Sequence, residues 1–186
     1  MISKKYKFIF PEVPKTGSTS LHMALAKFAD VSSPKHLDLS QYKRGFPREY
    51  PKYFKFSFVR NPWARVVSLY KRNDGIKKKY SMSFKEFVDW IELSTDTCVM
   101  PTPKKDMLDF CMVDGQLEAD FIGKLENFQE DFDTICFAIG LAPQKLPHAN
   151  KSNPQPYTTF YDDATRSIVR EKFARDIEYF DYEFGE

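Results

Sequence analysis

Residues 14–20 read Pro-Lys-Thr-Gly-Ser-Thr-Ser, which places one lysine and one glycine among four hydroxyl side chains. Between a strand and a helix N-terminus, such a loop presents backbone N–H groups and the positive helix end to an anion. The nucleotide-triphosphatase P-loop has an upstream Gly and the order Gly-Lys-Ser/Thr, whereas Lys15 here precedes Gly17 and no Gly stands upstream. The loop therefore predicts an anion site of neither kinase nor GTPase type. An ordinary capped helix start is the alternative.

The elements that must position this loop are a strand before it and a helix after it. Residues 6–10 are aromatic and β-branched and precede Pro11 and Pro14, which indicates a strand that ends in a loop. Apolar residues then recur at helical spacing up to Phe28. Ser18, Thr19 or Ser20 can cap that helix, because short hydroxyl side chains accept bonds from first-turn N–H groups.

A second strand-turn-helix unit follows. Residues 54–59 alternate aromatic with polar side chains before Val59, and Arg60-Asn61-Pro62 ends the run. Pro62 suits the first turn of a helix, and apolar residues continue at helical spacing to about Arg72. Trp63 is expected to be a core residue or to pack this helix against its neighbours.

The remaining residues predict further alternation of strands with helices. This pattern favours an α/β fold with a mainly parallel sheet. The elements expected are mostly irregular chain over 31–52, a basic loop over 73–81, a helix from the Ser83/Glu86 capping box to Leu93, a long surface loop over 94–115, a strand over 121–125, a helix over 130–139, a loop over 144–158 and a helix from Asp162-Asp163 to about Tyr179.

Length and composition indicate one compact domain over residues 1–186. With 42% hydrophobic, 16% aromatic and 29% charged residues, the profile is globular and argues against disorder. Charge is unevenly distributed: residues 1–80 carry 18 Lys and Arg against 5 Asp and Glu, although the net charge is only +2. The first half is therefore expected to face an anion, or else to be a solvated basic face.

Cysteine number and hydropathy bear on the compartment. Cys98, Cys111 and Cys136 are odd in number and show no CxxC spacing, so neither a disulfide framework nor a zinc site is expected. No apolar run approaches the roughly 20 residues of a membrane-spanning helix, and no secretory signal is visible at the N-terminus. We therefore expect a soluble, cytoplasmic protein with no metal.

Two motifs in this order carry a family resemblance. Residues 13–21, Val-Pro-Lys-Thr-Gly-Ser-Thr-Ser-Leu, resemble the 5′-phosphosulfate loop of the sulfotransferases that use 3′-phosphoadenosine 5′-phosphosulfate (PAPS). Residues 58–70 resemble the same family's 3′-phosphate motif. Residues 121–132 and the tail from 146 to 178 resemble the Golgi-type carbohydrate sulfotransferases, the heparan sulfate 2-O-sulfotransferase and chondroitin sulfotransferase group. We expect a minimal member without the membrane anchor and stem that are usual in the animal enzymes.

The resemblance implies a P-loop-like three-layer α/β fold with a central mainly parallel sheet flanked by helices. It also implies PAPS as the donor, a carbohydrate or glycoconjugate acceptor, and in-line sulfuryl transfer without a metal or nucleic acid. Lys15 would stabilise the bridging oxygen of the donor. The donor-binding residues implied are Lys15, Thr16, Gly17, Ser18, Thr19, Ser20, Arg60, Ser68, Lys151 and Ser152.

A general base must take the proton from the acceptor hydroxyl, and histidine suits this near neutral pH. The resemblance favours His36, because the related enzymes carry their proposed base in a similar segment. His22 lies within the first helix, where a supporting or structural role is the alternative, and His148 lies in the tail. Glu12 or Asp38 could serve instead.

Other side chains and functions stay open. Arg65 either faces the donor or makes a surface ion pair. A polyanion- or nucleic-acid-binding module would also use the basic first half, and its binding would depend strongly on salt. A third possibility is an inactive sulfotransferase fold that binds nucleotide. Neither the acceptor nor the oligomeric state can be read from the residues.

Overall fold

The computed structural model describes residues 1–31, 36–71, 82–93, 106–147 and 155–186. They form two compact units, each assembled from two stretches of chain. The first unit comprises Met1–Val59 with Met107–Lys151, and the second comprises Arg60–Asp106 with Ser152–Glu186. The described strands and α-helices are β1 (Ile2–Ser3), β2 (Phe8–Ile9), α1 (Ser18–Leu25), α2 (Leu39–Gly45), β3 (Phe54–Val59), α3 (Pro62–Tyr70), α4 (Phe84–Leu93), β4 (Met112–Val113), β5 (Gln116–Leu117), β6 (Phe121–Lys124), α5 (Phe128–Ala138), α6 (Asp163–Lys172) and α7 (Ala174–Phe180).

A four-stranded sheet of order β1-β2-β3-β6 forms the centre of the first unit. β3 pairs in parallel with both β2 and β6, and β1 alone runs antiparallel, to β2. The mainly parallel sheet flanked by helices is confirmed. β3 has the predicted bounds, whereas the strand expected over residues 6–10 extends only over Phe8–Ile9.

Alternation along the strands sends side chains to the two faces of the sheet. Phe8, Phe56 and Phe58 join a core formed with α1 and α5, and Phe10 stacks on Phe56 with ring centroids 5.2 Å apart. Ile9 lies on the other face, in a core with residues of α2. Within the first unit the sheet is therefore a middle layer, with α1 and α5 on one face and α2 on the other.

Two sequence predictions for residues 18–52 were wrong. Residues 31–52 were expected to be mostly irregular, but Leu39–Gly45 is a helix, capped by Asp38, whose carboxylate accepts from the Gln41 N–H at 2.9 Å. Leu39 and Tyr42 are buried and give this helix its packing face. The N-cap of α1 is Gly17 rather than one of the three hydroxyl residues, because those residues already lie within the helix.

The surface loop expected over 94–115 was wrong in the part that the structure describes, residues 106–115. Met107, Phe110 and Cys111 are buried, Leu108–Phe110 is a 3-10 helix, and β4 pairs with β5 in a hairpin. The hairpin turns at Asp114-Gly115, where both residues have positive φ, as a type I′ turn requires. Cys111 and Cys136 are buried free thiols, and Cys98 lies outside the described residues.

The second unit is built on α3, α4, α6 and α7. Trp63, Val66, Phe87 and Val169 belong to its core, so Trp63 packs as predicted. The Ser83/Glu86 capping box is confirmed, since each residue's N–H bonds to the other's side chain. The single helix expected from residue 163 to about 179 is wrong, because it is interrupted at Phe173, a buried residue whose backbone leaves helical geometry.

Candidate functional site

The predicted donor loop connects β2 to α1 in the first unit. The Thr16 hydroxyl donates to the Val13 carbonyl at 3.0 Å, and the Ser20 N–H donates to the Gly17 carbonyl at 3.0 Å. Thr16 and Ser20 are buried, Lys15 and Ser18 are half-buried, and Thr19 is exposed. Residues 15–20 thus fold into one turn, with the N–H groups of Ser18 and Thr19 at a helix start where no intrahelical partner exists.

Gly17 is required in this turn by conformation and by space. Its φ of 85° lies in the left-handed region, which costs other residues free energy. A Cβ at this position would lie 2.5 Å from Cζ of Phe128 and 2.9 Å from Cδ1 of Leu125. The loop therefore sits directly on the junction of β6 and α5, which fixes the position of the helix start.

The start of α1 differs from the other described helix starts. Its N-cap has no side-chain hydrogen bond, and its first turn holds no acidic residue. In contrast, Asp38 caps α2, Asn61 caps α3 and Asp162 caps α6. The starts of α5 and α7 also lack a side-chain cap, but their first turns contain acidic residues. A helix start without a carboxylate or amide of its own suits an external anion, so the residues fit a phosphate or sulfate group.

Lys15 and His36 share an uncommon backbone conformation. Their φ angles are 70° and 68°, in the left-handed region, which is costly for residues with a Cβ. Among the described residues the other non-glycine positions of this kind are Lys7, Asp114 and Asp181. Both residues lie in turns, where single residues of the chain adopt this conformation.

Glu12 brings two histidines to the base of the loop. Its buried carboxylate accepts a hydrogen bond from Nε2 of His22 on α1, and its main-chain carbonyl accepts one from Nδ1 of His36 at 3.1 Å. A carbonyl oxygen can only accept, so Nδ1 of His36 carries the proton. In the neutral ring the lone pair is then on Nε2, which is the nitrogen able to act as a base.

Arg60 and Ser68 belong to the second unit. Arg60 directly follows β3 and is half-buried, and Ser68 is a half-buried residue of α3. Asn61 between them is fully buried; its side-chain oxygen caps α3 at the Trp63 N–H (3.1 Å), and its amide donates to the Glu183 carbonyl at 2.8 Å. These two hydrogen bonds of Asn61, one to α3 and one to the C-terminal segment, hold the backbone next to Arg60.

Arg65 is only 1% exposed, so the expected surface ion pair is wrong. Burial lowers the pKa of its guanidinium to about 10, and the charges of Asp176 and Asp106 oppose that effect. Its guanidinium carbon lies 5.6 Å from the centroid of the Phe173 ring. At neutral pH the side chain is a buried cation that joins α3 to α7.

Some predicted positions cannot be placed, and one contact was not predicted. His148, Lys151 and Ser152 lie outside the described residues. Glu12 was expected only as an alternative base, and its bonds to His22 and His36 were not predicted. A glutamate three residues before Lys15, with a histidine on the following helix, was the available signal.

Two further findings concern metal binding and membrane-spanning helices. Within the described ranges, no group of three or more His, Cys, Asp and Glu side chains is arranged to hold a metal ion. None of the helices in the part of the chain that the structure describes is long and apolar enough to cross a bilayer.

Comparison with known proteins identifies the family of the chain. An uncharacterised protein of Archaeoglobus fulgidus is 36% identical over 96 residues, which cover 50% of this chain and 72% of that protein. Residues 1–183 match the profile of the Sulfotransferase family, so the match includes both units and nearly all of the chain. The chain therefore belongs to the Sulfotransferase family, whose members transfer sulfuryl groups.

Proposed function

We propose that this protein transfers a sulfuryl group from PAPS to a hydroxyl group of a carbohydrate or glycoconjugate. The observation that carries the proposal is the start of α1 at Gly17, which offers backbone N–H groups and no acidic side chain, in a chain of the Sulfotransferase family. The likeness of residues 121–132 and 146–178 to carbohydrate sulfotransferases supports the acceptor class. We further propose that residues 1–186 act as one catalytic domain.

The donor supplies the sulfuryl group and leaves as 3′-phosphoadenosine 5′-phosphate (PAP). The N–H groups of residues 17–19 and the hydroxyls of Ser18 and Thr19 bind its 5′ end. Lys15 stabilises the negative charge that develops on the leaving phosphate, for which a compact ammonium group is suited.

The 3′-phosphate is assigned to Arg60 and Ser68. A guanidinium forms strong charge-assisted hydrogen bonds to phosphate, and a serine hydroxyl adds a further donor. The buried cap residue Asn61 supports this assignment, because it fixes the backbone immediately after Arg60. Lys151 and Ser152 are proposed donor-binding residues by resemblance.

His36 is proposed as the general base. With the Nδ1 proton held by the Glu12 carbonyl, Nε2 is the ring nitrogen that takes the proton from the acceptor hydroxyl. His22 is less suited, since its Nε2 is engaged with the Glu12 carboxylate. No metal is needed in this scheme.

Thermal unfolding with PAP tests the donor site. A ligand that binds only the folded state raises the unfolding temperature, so PAP is expected to stabilise the wild type. Arg60→Ala should lose most of this shift. Arg170→Ala removes an exposed arginine of α6 in the same unit and should retain it. The absence of a PAP-dependent shift in the wild type would exclude the donor site.

The same measurement separates the alternatives. A polyanion- or nucleic-acid-binding module would be stabilised by heparin or DNA in a strongly salt-dependent way and would not respond to PAP. An inactive nucleotide-binding fold would respond to PAP but would release no PAP from PAPS.

A further inference from the structure

Glu12 is a buried carboxylate that the proposed transfer does not use. The side chain is only 2% exposed, whereas that of its partner His22 is 27% exposed. A carboxylate so deeply buried is costly unless it is hydrogen-bonded, and the His22 ring provides such a bond. The hydrogen bond from His22 therefore compensates for the burial of the Glu12 carboxylate.

The Glu12–His22 bond spans the donor loop. Glu12 precedes the loop, and His22 is the fifth residue of α1, so the bond joins the chain entering the turn to the helix leaving it. Thr16 adds a second tie to the entering chain through the Val13 carbonyl. Hydrogen bonds of the Glu12 side chain, before Lys15, and of the Thr16 side chain, after it, therefore hold the loop.

His36 takes its orientation from the same residue. The Nδ1 bond goes to the main-chain carbonyl of Glu12, so a rotation of the backbone at Glu12 would move the imidazole. The carboxylate bond to His22 opposes such a rotation. The direction of Nε2 of His36 therefore depends on His22 through Glu12.

We propose that Glu12 and His22 are positioning residues that set His36 for proton abstraction and tie it to the loop that carries Lys15. This inference rests on the proposed function, and in particular on His36 as the base. The proton passes from the acceptor hydroxyl to Nε2 of His36, and Nδ1 keeps its proton throughout. A displacement of about 1 Å in a reacting group can cost roughly 10²-fold in rate, which gives such a clamp its effect.

The test measures PAP release from PAPS with methyl glucoside, methyl glucuronide and methyl N-acetylglucosaminide as acceptors. If none of these sugars is sulfated, hydrolysis of PAPS, with water as the acceptor, is measured instead. His22→Ala is expected to lower kcat by about 10- to 100-fold. Glu12→Ala should do the same, and Glu12→Gln should retain more activity because the amide oxygen can still accept from His22. Met23→Ala removes the exposed neighbour of His22 and should leave kcat unchanged.

A double-mutant cycle distinguishes positioning from general stability. If His22 acts through His36, His22→Ala should cost little in the His36→Ala background. Equal losses in both backgrounds, or unchanged kcat for His22→Ala, would overturn the proposal, as would loss of PAP-dependent stabilisation in His22→Ala. A wild type that neither binds PAP nor turns over PAPS would instead refute the proposed function itself.

Discussion

Gly17 and Phe128 lie so close together that a methyl group on Gly17 would be 2.5 Å from Cζ of the ring. Phe128 begins α5, and its ring also packs edge-to-face on Phe58 of β3, with centroids 5.1 Å apart. The loop of residues 15–20 is therefore supported by two neighbouring elements of the first unit, and its position is sensitive to any added atom at Gly17.

Gly17→Ala is expected to destabilise the protein by roughly 2–5 kcal/mol. The left-handed conformation costs an alanine about 1–2 kcal/mol, and overpacking against Phe128 adds about 1–3 kcal/mol. Denaturant unfolding measures the loss. Gly140→Ala is the matched control: its φ of 69° is also left-handed, but no atom lies within 4 Å of an added Cβ. Equal losses for the two variants would contradict the packing argument.

Lys15→Met should separate chemistry from binding. The methionine keeps the aliphatic stem and removes the charge that we assign to the leaving phosphate. Loss of one such stabilising group lowers kcat by roughly 10²- to 10³-fold. The Kd of PAP, measured by calorimetry, should rise by less than about tenfold. Lys27→Met, an exposed lysine just after α1, should leave both constants unchanged, and a similar effect of both variants would contradict the role of Lys15.

Arg65→Met should destabilise the protein by about 3–5 kcal/mol, because it leaves the fully buried Asp176 without its compensating cation. Adding Asp176→Asn to this variant should recover part of the loss. Arg175→Ala serves as the control, since its bond to Asp106 is partly exposed and should contribute at most about 1 kcal/mol. Chemical denaturation of the four proteins measures these differences, and a loss for Arg65→Met no larger than the control would refute the pair.

Acid should weaken the cap of α6. The hydrogen bonds from the Thr165 side chain and N–H lower the pKa of the Asp162 carboxyl below its usual 3.8. Stability from this group is therefore present above pH 3.8 and is lost as the pH falls through the lowered pKa. Asp162→Asn keeps an acceptor at the cap but cannot titrate.

Unfolding temperatures between pH 2 and pH 6 measure this effect. The wild type should lose stability relative to Asp162→Asn as the pH falls below about 4. Parallel pH profiles for the two proteins would contradict the assignment.

The sequence allowed the alternating α/β order, the bounds of β3 and the Pro62 helix start to be predicted, because each depends on local periodicity and turn chemistry. Two local signals were overlooked. Asp38 at the N-cap and Gln41 three residues later form a capping box, which marked the start of α2. The apolar residues Met107, Leu108 and Phe110 argued against a surface loop.

Other features could not be predicted from local pattern. Gly17 became the N-cap because packing against Phe128 fixed the loop, and Arg65 was buried because α7 brought Asp176 to it. The contact of Glu12 with His36 joins residues 24 positions apart and depends on the path of the chain after α1. Such contacts follow from tertiary structure, to which a single sequence gives no direct access.

Each unit is made from two separated stretches of chain, and this has a consequence during synthesis. β6 and α5, which complete the sheet and core of the first unit, leave the ribosome only after residues 60–106, which belong to the second. Within the second unit, Trp63 and Arg65 of α3 can be covered only after α6 and α7 have been translated. Contacts this distant along the chain form slowly, and the apolar face of α3 stays exposed until α6 and α7 are translated.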